Sequence, residues 1–278
     1  MSVLVIGAGS QVGCCLLPLL RTDDAEILAL SRRAPRAADA PHAHWLRGAL
    51  PAALPLLPPL RRIYSAGPLD ALAQWLRDAP LAPDARVLAT SSMSAVSKQQ
   101  APGAAERALA ARLRAGERLL IETCRARGIG WTVLRPTLIY GVGRDRSLTP
   151  LAQRAQRWRV FPLPAGRGLR QPVHAADVAA ALHAAGTRAQ ALDALLEIGG
   201  GERLPAAAMF ARVHASLPFT SLGVPLPRPL LRLGRLHPRL RGPLTRLDQD
   251  LLACNDALIA ALGVRPRAFA PDAQCWGF

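Results

Sequence analysis

A short apolar run, Ser2 to Ile6, passes directly into Gly7-Ala8-Gly9-Ser10-Gln11-Val12-Gly13, and a helical pattern opens at Gln11. Strand, glycine turn and helix in that order constrain the fold more than any other feature. Repeated along a chain, that alternation argues for βαβ units and a parallel sheet. The rest of the first 135 residues keeps the alternation. Strands are expected at 2–6, 26–30, 43–46, 61–65, 86–90 and 131–135, with helices at 11–21, 70–78 and 104–127. The Leu- and Pro-rich segment 50–60 reads as an irregular crossover.

Farther on, loops are expected at Gly141 to Arg146 and at Phe161 to Pro172, with a helix at 148–159 between them. A helix at 176–187 and a strand at 194–198 complete the sheet. Beyond 201 only helical and proline-broken stretches appear. The expected architecture is an α/β, Rossmann-type doubly wound parallel sheet over 1–200, followed by a small, mostly helical C-terminal lobe over 201–278 that lies on the substrate side.

Glycines in such a turn have separate tasks: one makes the turn, one lets a pyrophosphate approach the backbone, and one lets the helix pack on the sheet. The helix start adds amide donors and a partial positive charge. Gly7, Gly9, Ser10, Gln11, Val12 and Gly13 are therefore candidate contacts to a nicotinamide dinucleotide. An acidic residue at the end of the second strand would suit the ribose hydroxyls of NAD. Here that strand ends in Ser31-Arg32-Arg33. Guanidiniums give forked, charge-assisted hydrogen bonds to a 2′-phosphate, so NADP is expected, with NAD the alternative.

The 278 residues carry a formal charge of +16. Nearly all of the positive charge is arginine, since Lys98 is the one lysine, and the arginines are spread along the chain. Without interleaved stacking aromatics, nucleic acid is not an expected partner. Leucines alternate with arginines from Pro225 to Leu252. Such a segment could lie on an anionic membrane or grip a lipid-linked diphosphate, but the plainer reading is preferred: leucines packed on the protein body, arginines in water. The expected partner is a small-molecule substrate, with a homodimer left open. Five scattered cysteines form no C-x-x-C pair, and no His or Cys cluster has metal-ligand spacing. No basic segment precedes the first strand. A reducing, cytoplasmic setting is expected.

Further blocks follow in order: Tyr64-Ser65-Ala66-Gly67-Pro68, Thr90-Ser91-Ser92, Leu134 to Gly141 (LRPTLIYG) and Arg170 to Ala179 (RQPVHAADVA). With the glycine turn, they resemble the extended short-chain dehydrogenase/reductase superfamily in its NAD(P)-dependent epimerase/dehydratase branch. The resemblance implies an oxidoreductase or epimerase-like enzyme acting on a sugar nucleotide or another phosphate-bearing small molecule. It places Ser65, Ala66 and Gly67 beside the cofactor ribose and Pro136 and Thr137 near the nicotinamide. Ser92 becomes the substrate-binding, proton-sharing hydroxyl, with Ser91 and Ser94 as other alignments, and Arg170 faces a substrate diphosphate. His174 and Asp177 tie the last loop to its helix.

The chain departs from that family in three places. Ser10 stands where the branch usually has its middle glycine, and Ala49 where an acidic residue touches adenine. Most consequential, the Tyr-x-x-x-Lys pair is missing. The tyrosines are Tyr64 and Tyr140, and four residues beyond them stand Pro68 and Arg144. If Glu117 marks the usual register, Leu109 and Leu113 occupy the two catalytic positions. Leucines transfer no protons, so the standard acid/base mechanism is excluded. Lys98, one helical turn after Ser94, and Tyr140 are candidate substitutes, each weighed against a plain solvent or packing role. A catalytically silent NADP(H)-binding sensor or scaffold is the rival reading.

Overall fold

The computed structural model describes residues 2–21, 26–32, 40–51, 54–189, 192–234, 236–237, 242 and 244–278. In chain order the elements are β1 (Ser2–Ile6), α1 (Gln11–Leu20), β2 (Glu26–Ser31), β3 (His44–Arg47), β4 (Leu60–Ser65), α2 (Leu69–Leu76), β5 (Leu81–Thr90), α3 (Ser94–Ser97), α4 (Ala104–Ala126), β6 (Gly130–Pro136) and β7 (Ile139–Tyr140). They continue with α5 (Thr149–Trp158), β8 (Val160–Pro164), β9 (Leu169–Arg170), β10 (Val173–His174), α6 (Ala175–Thr187), β11 (Ala194–Ile198), β12 (Leu204–Pro205), α7 (Ala206–Ala215), β13 (Leu222–Leu226) and α8 (Arg228–Gly234). A further helix spans Asp256–Leu262.

Seven strands form one sheet in the order β11-β6-β5-β4-β1-β2-β3. Every pairing in it is parallel. The strands β1 and β2 and the end of β5, Val87 to Ala89, read as nearly continuous Val, Ile, Leu and Ala because both faces of a parallel sheet are covered. Leu4, Ile63, Val87 and Val133 are fully buried in a core closed by Leu72, Leu76, Leu120 and Cys124 from α2 and α4. The strand order reverses between β1 and β4, which places a crevice at their carboxyl ends.

The chain divides into two compact units. The first comprises Met1–Pro136, Ala176–Ile198 and Asn255–Arg265; the second comprises Thr137–Ala175, Gly199–Cys254 and Pro266–Phe278. This corrects the single division near residue 200. Strand β11 joins the sheet edge beside β6, and the helix at 256–262 returns to the first unit, so the units interleave along the chain. The second unit has its own aromatic core of Tyr140, Phe161, Phe269 and Trp276.

The second unit also holds more strand than expected. The presumed loop 161–172 contains most of β8 and all of β9, and β8 pairs in parallel with β13 in the region expected to be only helical. Both strands carry prolines (Val-Phe-Pro-Leu-Pro and Leu-Gly-Val-Pro-Leu). Proline is tolerated at strand edges, where its missing N–H leaves no ladder bond unmade.

Candidate functional site

In the first unit the glycine turn is built as its sequence demands. Gly7 adopts φ +76°, a left-handed conformation that favours glycine. Its N–H and that of Ala8 both donate to the carbonyl of Leu30, at 3.0 and 3.1 Å, which fastens the turn to the end of β2. A Cβ on Gly13 would lie 2.5 Å from the carbonyl oxygens of both Gly7 and Ala8, so only glycine lets α1 start this close to the strand. A Cβ on Gly9 would stand 3.0 Å from Ser31 Oγ.

Ser10, the residue that departs from the family's glycine, is the N-cap of α1 in an extended conformation. Its Oγ accepts from the N–H of Gly13 at 3.1 Å. The serine therefore has a local structural reason, since it satisfies one of the amides that a helix start leaves open. At the next residue, Gln11 Oε1 is buried without a hydrogen-bond partner among the described residues.

Beside this turn lies a second one at the end of β4. Ala66 N–H donates to the Ile6 carbonyl at 3.0 Å, and a Cβ on Gly7 would lie 3.5 Å from Ala66. Ser65 is buried, and its Oγ accepts from Gly67 N–H at 3.2 Å. The structure thus brings Gly7–Gly13 and Ser65–Gly67 together at the crevice, with Ser31 at its rim. Arg32 is exposed. Arg33 lies outside the described residues.

Farther along the strand ends, α3 and α4 place the residues weighed for catalysis. Ser92 Oγ accepts from Ser94 N–H at 3.1 Å. The segment from Ser94 is helical, and Lys98 N–H donates to the Ser94 carbonyl at 3.4 Å, so the one-turn spacing expected from sequence is present. Lys98 Nζ lies 3.5 Å from Glu106 Oε1. On α4, Gly116 and Glu117 are buried. A Cβ on Gly116 would lie 3.3 Å from the backbone nitrogen of Asp70 and from Leu69 Cβ, so this glycine sets the close approach of α4 to α2. Leu109 and Leu113, one turn apart and both half-buried, precede Glu117 at helical spacing.

Sequence reasoning used Glu117 only as a register mark and missed its partners. Arg135 donates to both of its carboxylate oxygens, Nε to Oε1 at 2.8 Å and Nη2 to Oε2 at 2.6 Å. Ser91 Oγ donates to Oε1 at 2.6 Å. The hydrogen bond to Glu117 raises the Arg135 pKa above its ordinary value against the opposing effect of burial. A lone carboxylate on the buried face of a long helix, next to a glycine, was the available signal. Ser91 is thereby a structural hydroxyl, while Ser92 and Ser94 are its neighbours on the strand-end loop.

In the second unit two expectations are corrected. Tyr140, considered as a proton donor, is 1% exposed. Its ring makes edge contacts with His174 and Phe269, with centroids 5.2 and 4.8 Å apart. It is part of a buried aromatic core. Arg170, expected to face a diphosphate, is buried and donates to the carbonyls of Leu169, Gln249 and Arg246. Burial lowers its pKa while the neighbouring Asp250 opposes that shift. Its guanidinium braces a loop. Thr137, at the start of this unit, is buried and donates its hydroxyl to the Gln171 carbonyl. Pro136 closes β6, and its carbonyl accepts from Met93 N–H at 2.9 Å.

Burial pushes the Cys124 thiol up to about 12 and that of Cys275 up to about 11, so neither supplies thiolate near neutrality. Among the described residues no group of His, Cys, Asp or Glu is placed to hold a metal ion, and no helix is long and apolar enough to cross a membrane.

The parallel sheet, its strand order and the glycine turn at the reversal define a Rossmann-type α/β protein. Residues 69–199 match the model of the NAD dependent epimerase/dehydratase family, which bears out the resemblance drawn from the motifs. No curated protein matches the sequence significantly. Among solved structures, the chain is similar to MoeE5 in complex with UDP-glucuronic acid and NAD, with a TM-score of 0.71 and 19% identity over 99% of this chain and 96% of that one. It is similar to the UDP-glucuronic acid 4-epimerase of Bacillus cereus in complex with NAD, with a TM-score of 0.70 and 14% identity over 99% and 96% of the chains. The dTDP-glucose 4,6-dehydratase of Bacillus anthracis in complex with NAD gives a TM-score of 0.71 and 12% identity over 99% and 96%.

Proposed function

We propose that the chain is an NADP-dependent oxidoreductase or epimerase-like enzyme with a non-standard catalytic site, acting on a sugar nucleotide or another phosphate-bearing small molecule. The observation that carries the reading is the glycine turn. An added Cβ at Gly13 would collide with the carbonyls of Gly7 and Ala8 and one at Gly9 would crowd Ser31 Oγ, so the turn keeps the close helix–strand approach that a dinucleotide-binding turn requires. The residues fit the group. The N–H groups of Gln11 and Val12 at the helix start suit the pyrophosphate, and the orphaned Gln11 Oε1 is the kind of buried polar atom that a ligand satisfies. Ser65, Ala66 and Gly67 line the neighbouring turn, and Pro136 and Thr137 follow β6 toward the nicotinamide end. A bound nicotinamide supplies hydride donor or acceptor chemistry.

The chain's own part in catalysis then falls to few groups. Ser92 would hold the reacting hydroxyl or carbonyl of the substrate, with Ser94 beside it. Lys98, ion-paired to Glu106 at 3.5 Å, is the cation available on that loop. With Leu109 and Leu113 on α4, no phenol–ammonium couple lowers the barrier to proton transfer, so turnover should be slow and depend chiefly on positioning. The same pair of leucines favours a second reading, a silent NADP(H)-binding sensor or scaffold.

Titration calorimetry with NADP(H), followed by turnover assays across UDP- and dTDP-sugars, separates the two readings. Binding with turnover supports the enzyme, binding with every sugar unchanged supports the sensor, and absence of binding sinks both. Coenzyme choice has its own test. Arg32→Ala is expected to weaken NADP binding by roughly tenfold, the loss of about one charge-assisted hydrogen bond, and to leave NAD binding unchanged. Equal losses for both coenzymes would remove Arg32 from a 2′-phosphate site.

A further inference from the structure

Between Pro225 and Arg246 the chain carries six arginines, one histidine, seven leucines and no acidic residue. The reading of this segment as leucines packed inward with arginines in water holds for only part of it. Leu231 is buried in a small cluster with Ala206 and Leu247, against which Leu226, Leu244 and Phe210 pack. A Cβ on Gly234 would lie 2.7 Å from Leu244 Cδ1, so the backbone of α8 rests directly on that cluster.

With the inner face filled, three leucines are left outside: Leu230 is 49% exposed, Leu233 64% and Leu236 78%. Past α8, Leu236 N–H donates to the Leu233 carbonyl at 3.0 Å and His237 N–H to that of Gly234 at 3.2 Å. Residues three apart on such a path share a face. Arg232 is exposed and Arg228 half-buried on the same helix. The first acids beyond the segment, Asp248 and Asp250, accept from the N–H groups of Arg167 and Leu169.

We propose that this leucine–arginine arc seats the protein on an anionic bilayer surface. Leucines projecting from a helix anchored by its opposite face can enter the headgroup–acyl boundary, while the flanking arginines meet lipid phosphates. The charge selects the occupant. A second copy would bring arginine against arginine across the contact, which like-charge repulsion opposes. A bilayer rich in phosphatidylglycerol supplies both the apolar depth and the negative charge. The inference is independent of the coenzyme reading.

The test is co-sedimentation of the full chain with vesicles of phosphatidylcholine alone and of phosphatidylcholine mixed with phosphatidylglycerol. Binding is expected only to the mixed vesicles and is expected to weaken at high salt. The variant Leu230→Ser/Leu233→Ser/Leu236→Ser is expected to lose about tenfold or more in vesicle affinity with its circular dichroism and melting unchanged. Should that variant misfold, Arg228→Gln/Arg232→Gln gives the same answer through charge, with a loss of about fivefold per arginine. No binding to mixed vesicles, equal binding to both kinds, or undiminished binding by the folded variants would overturn the proposal. So would a shift from dimer to monomer in the leucine variant without any vesicle binding by the parent.

Discussion

Gly13→Ala is expected to lower affinity for NADP(H) by on the order of 100-fold, the largest loss anticipated for any single methyl group in this chain. The added carbon would stand 2.5 Å from two carbonyl oxygens, those of Gly7 and Ala8. Both belong to backbone already held by the Leu30 carbonyl through the amides of Gly7 and Ala8, so the strand side cannot yield and α1 must retreat. Retreat misaims the amides at the helix start, and two charge-assisted hydrogen bonds to a pyrophosphate are each worth about 1.5 kcal/mol or more. It also breaks the cap from Ser10 Oγ to Gly13 N–H, worth about 1 kcal/mol. Gly128→Ala is the control. That glycine has φ +63° with nothing within 4 Å of its added Cβ, so it should cost about 1–2 kcal/mol of stability through backbone strain and nothing in affinity. Titration calorimetry and thermal melting of both variants check the contrast. Equal affinity in the two would remove the glycine turn as the coenzyme site, and with it the proposed function.

The parts of this protein that could be read in its sequence are those whose cause is local. The βα turn at Gly7–Gly13 is legible because glycine is demanded by a positive φ and by contacts within a few residues. Strands β1 and β2 are legible because burial on both faces writes continuous apolar runs. The family match starts at Leu69, beyond the turn where the chain departs from its relatives, and Ser10 shows why that departure is tolerated: the hydroxyl caps the helix. What escaped the sequence depends on partners far away in the chain. Arg170 matches a family motif, yet the carbonyls that occupy its guanidinium belong to residues 246 and 249. Tyr140 is enclosed by Phe269 and Trp276. Strands β8 and β13 pair across about sixty residues, and their prolines hide the alternation that would have marked them. Leu230, Leu233 and Leu236 look like core leucines in any hydropathy pattern; only the filled inner face of α8 shows that they project outward.

Glu117→Ala is expected to destabilise the first unit by about 3–5 kcal/mol, the range for breaking a buried ion pair from one side. The carboxylate is 3% exposed and Arg135 19%, so solvent offers the abandoned guanidinium little compensation. Ser91 Oγ would lose its acceptor at the same moment. Because Ser91 follows β5, Arg135 lies in β6 and Glu117 sits on α4, the cluster clamps that helix to two strand ends. The clamp fixes the rotation of α4, and with it the face on which Leu113 and Leu109 lie, one and two turns before Glu117. Glu117→Gln keeps the shape and one acceptor and should cost less than half as much. Glu117→Leu combined with Arg135→Met removes both charges and should recover most of the loss, giving a coupling of about 2 kcal/mol or more in a double-mutant cycle. Urea unfolding reads these differences directly. The pattern also separates a clamp from a proton donor. If Glu117 served in place of the missing tyrosine, the glutamine variant would lose turnover while staying stable; a clamp predicts that stability falls and that whatever turnover the folded fraction shows is retained. A Glu117→Ala variant as stable as the parent would mean that the three-way cluster holds nothing in place, and that the leucines' position on α4 is set by Gly116 and the helix packing alone.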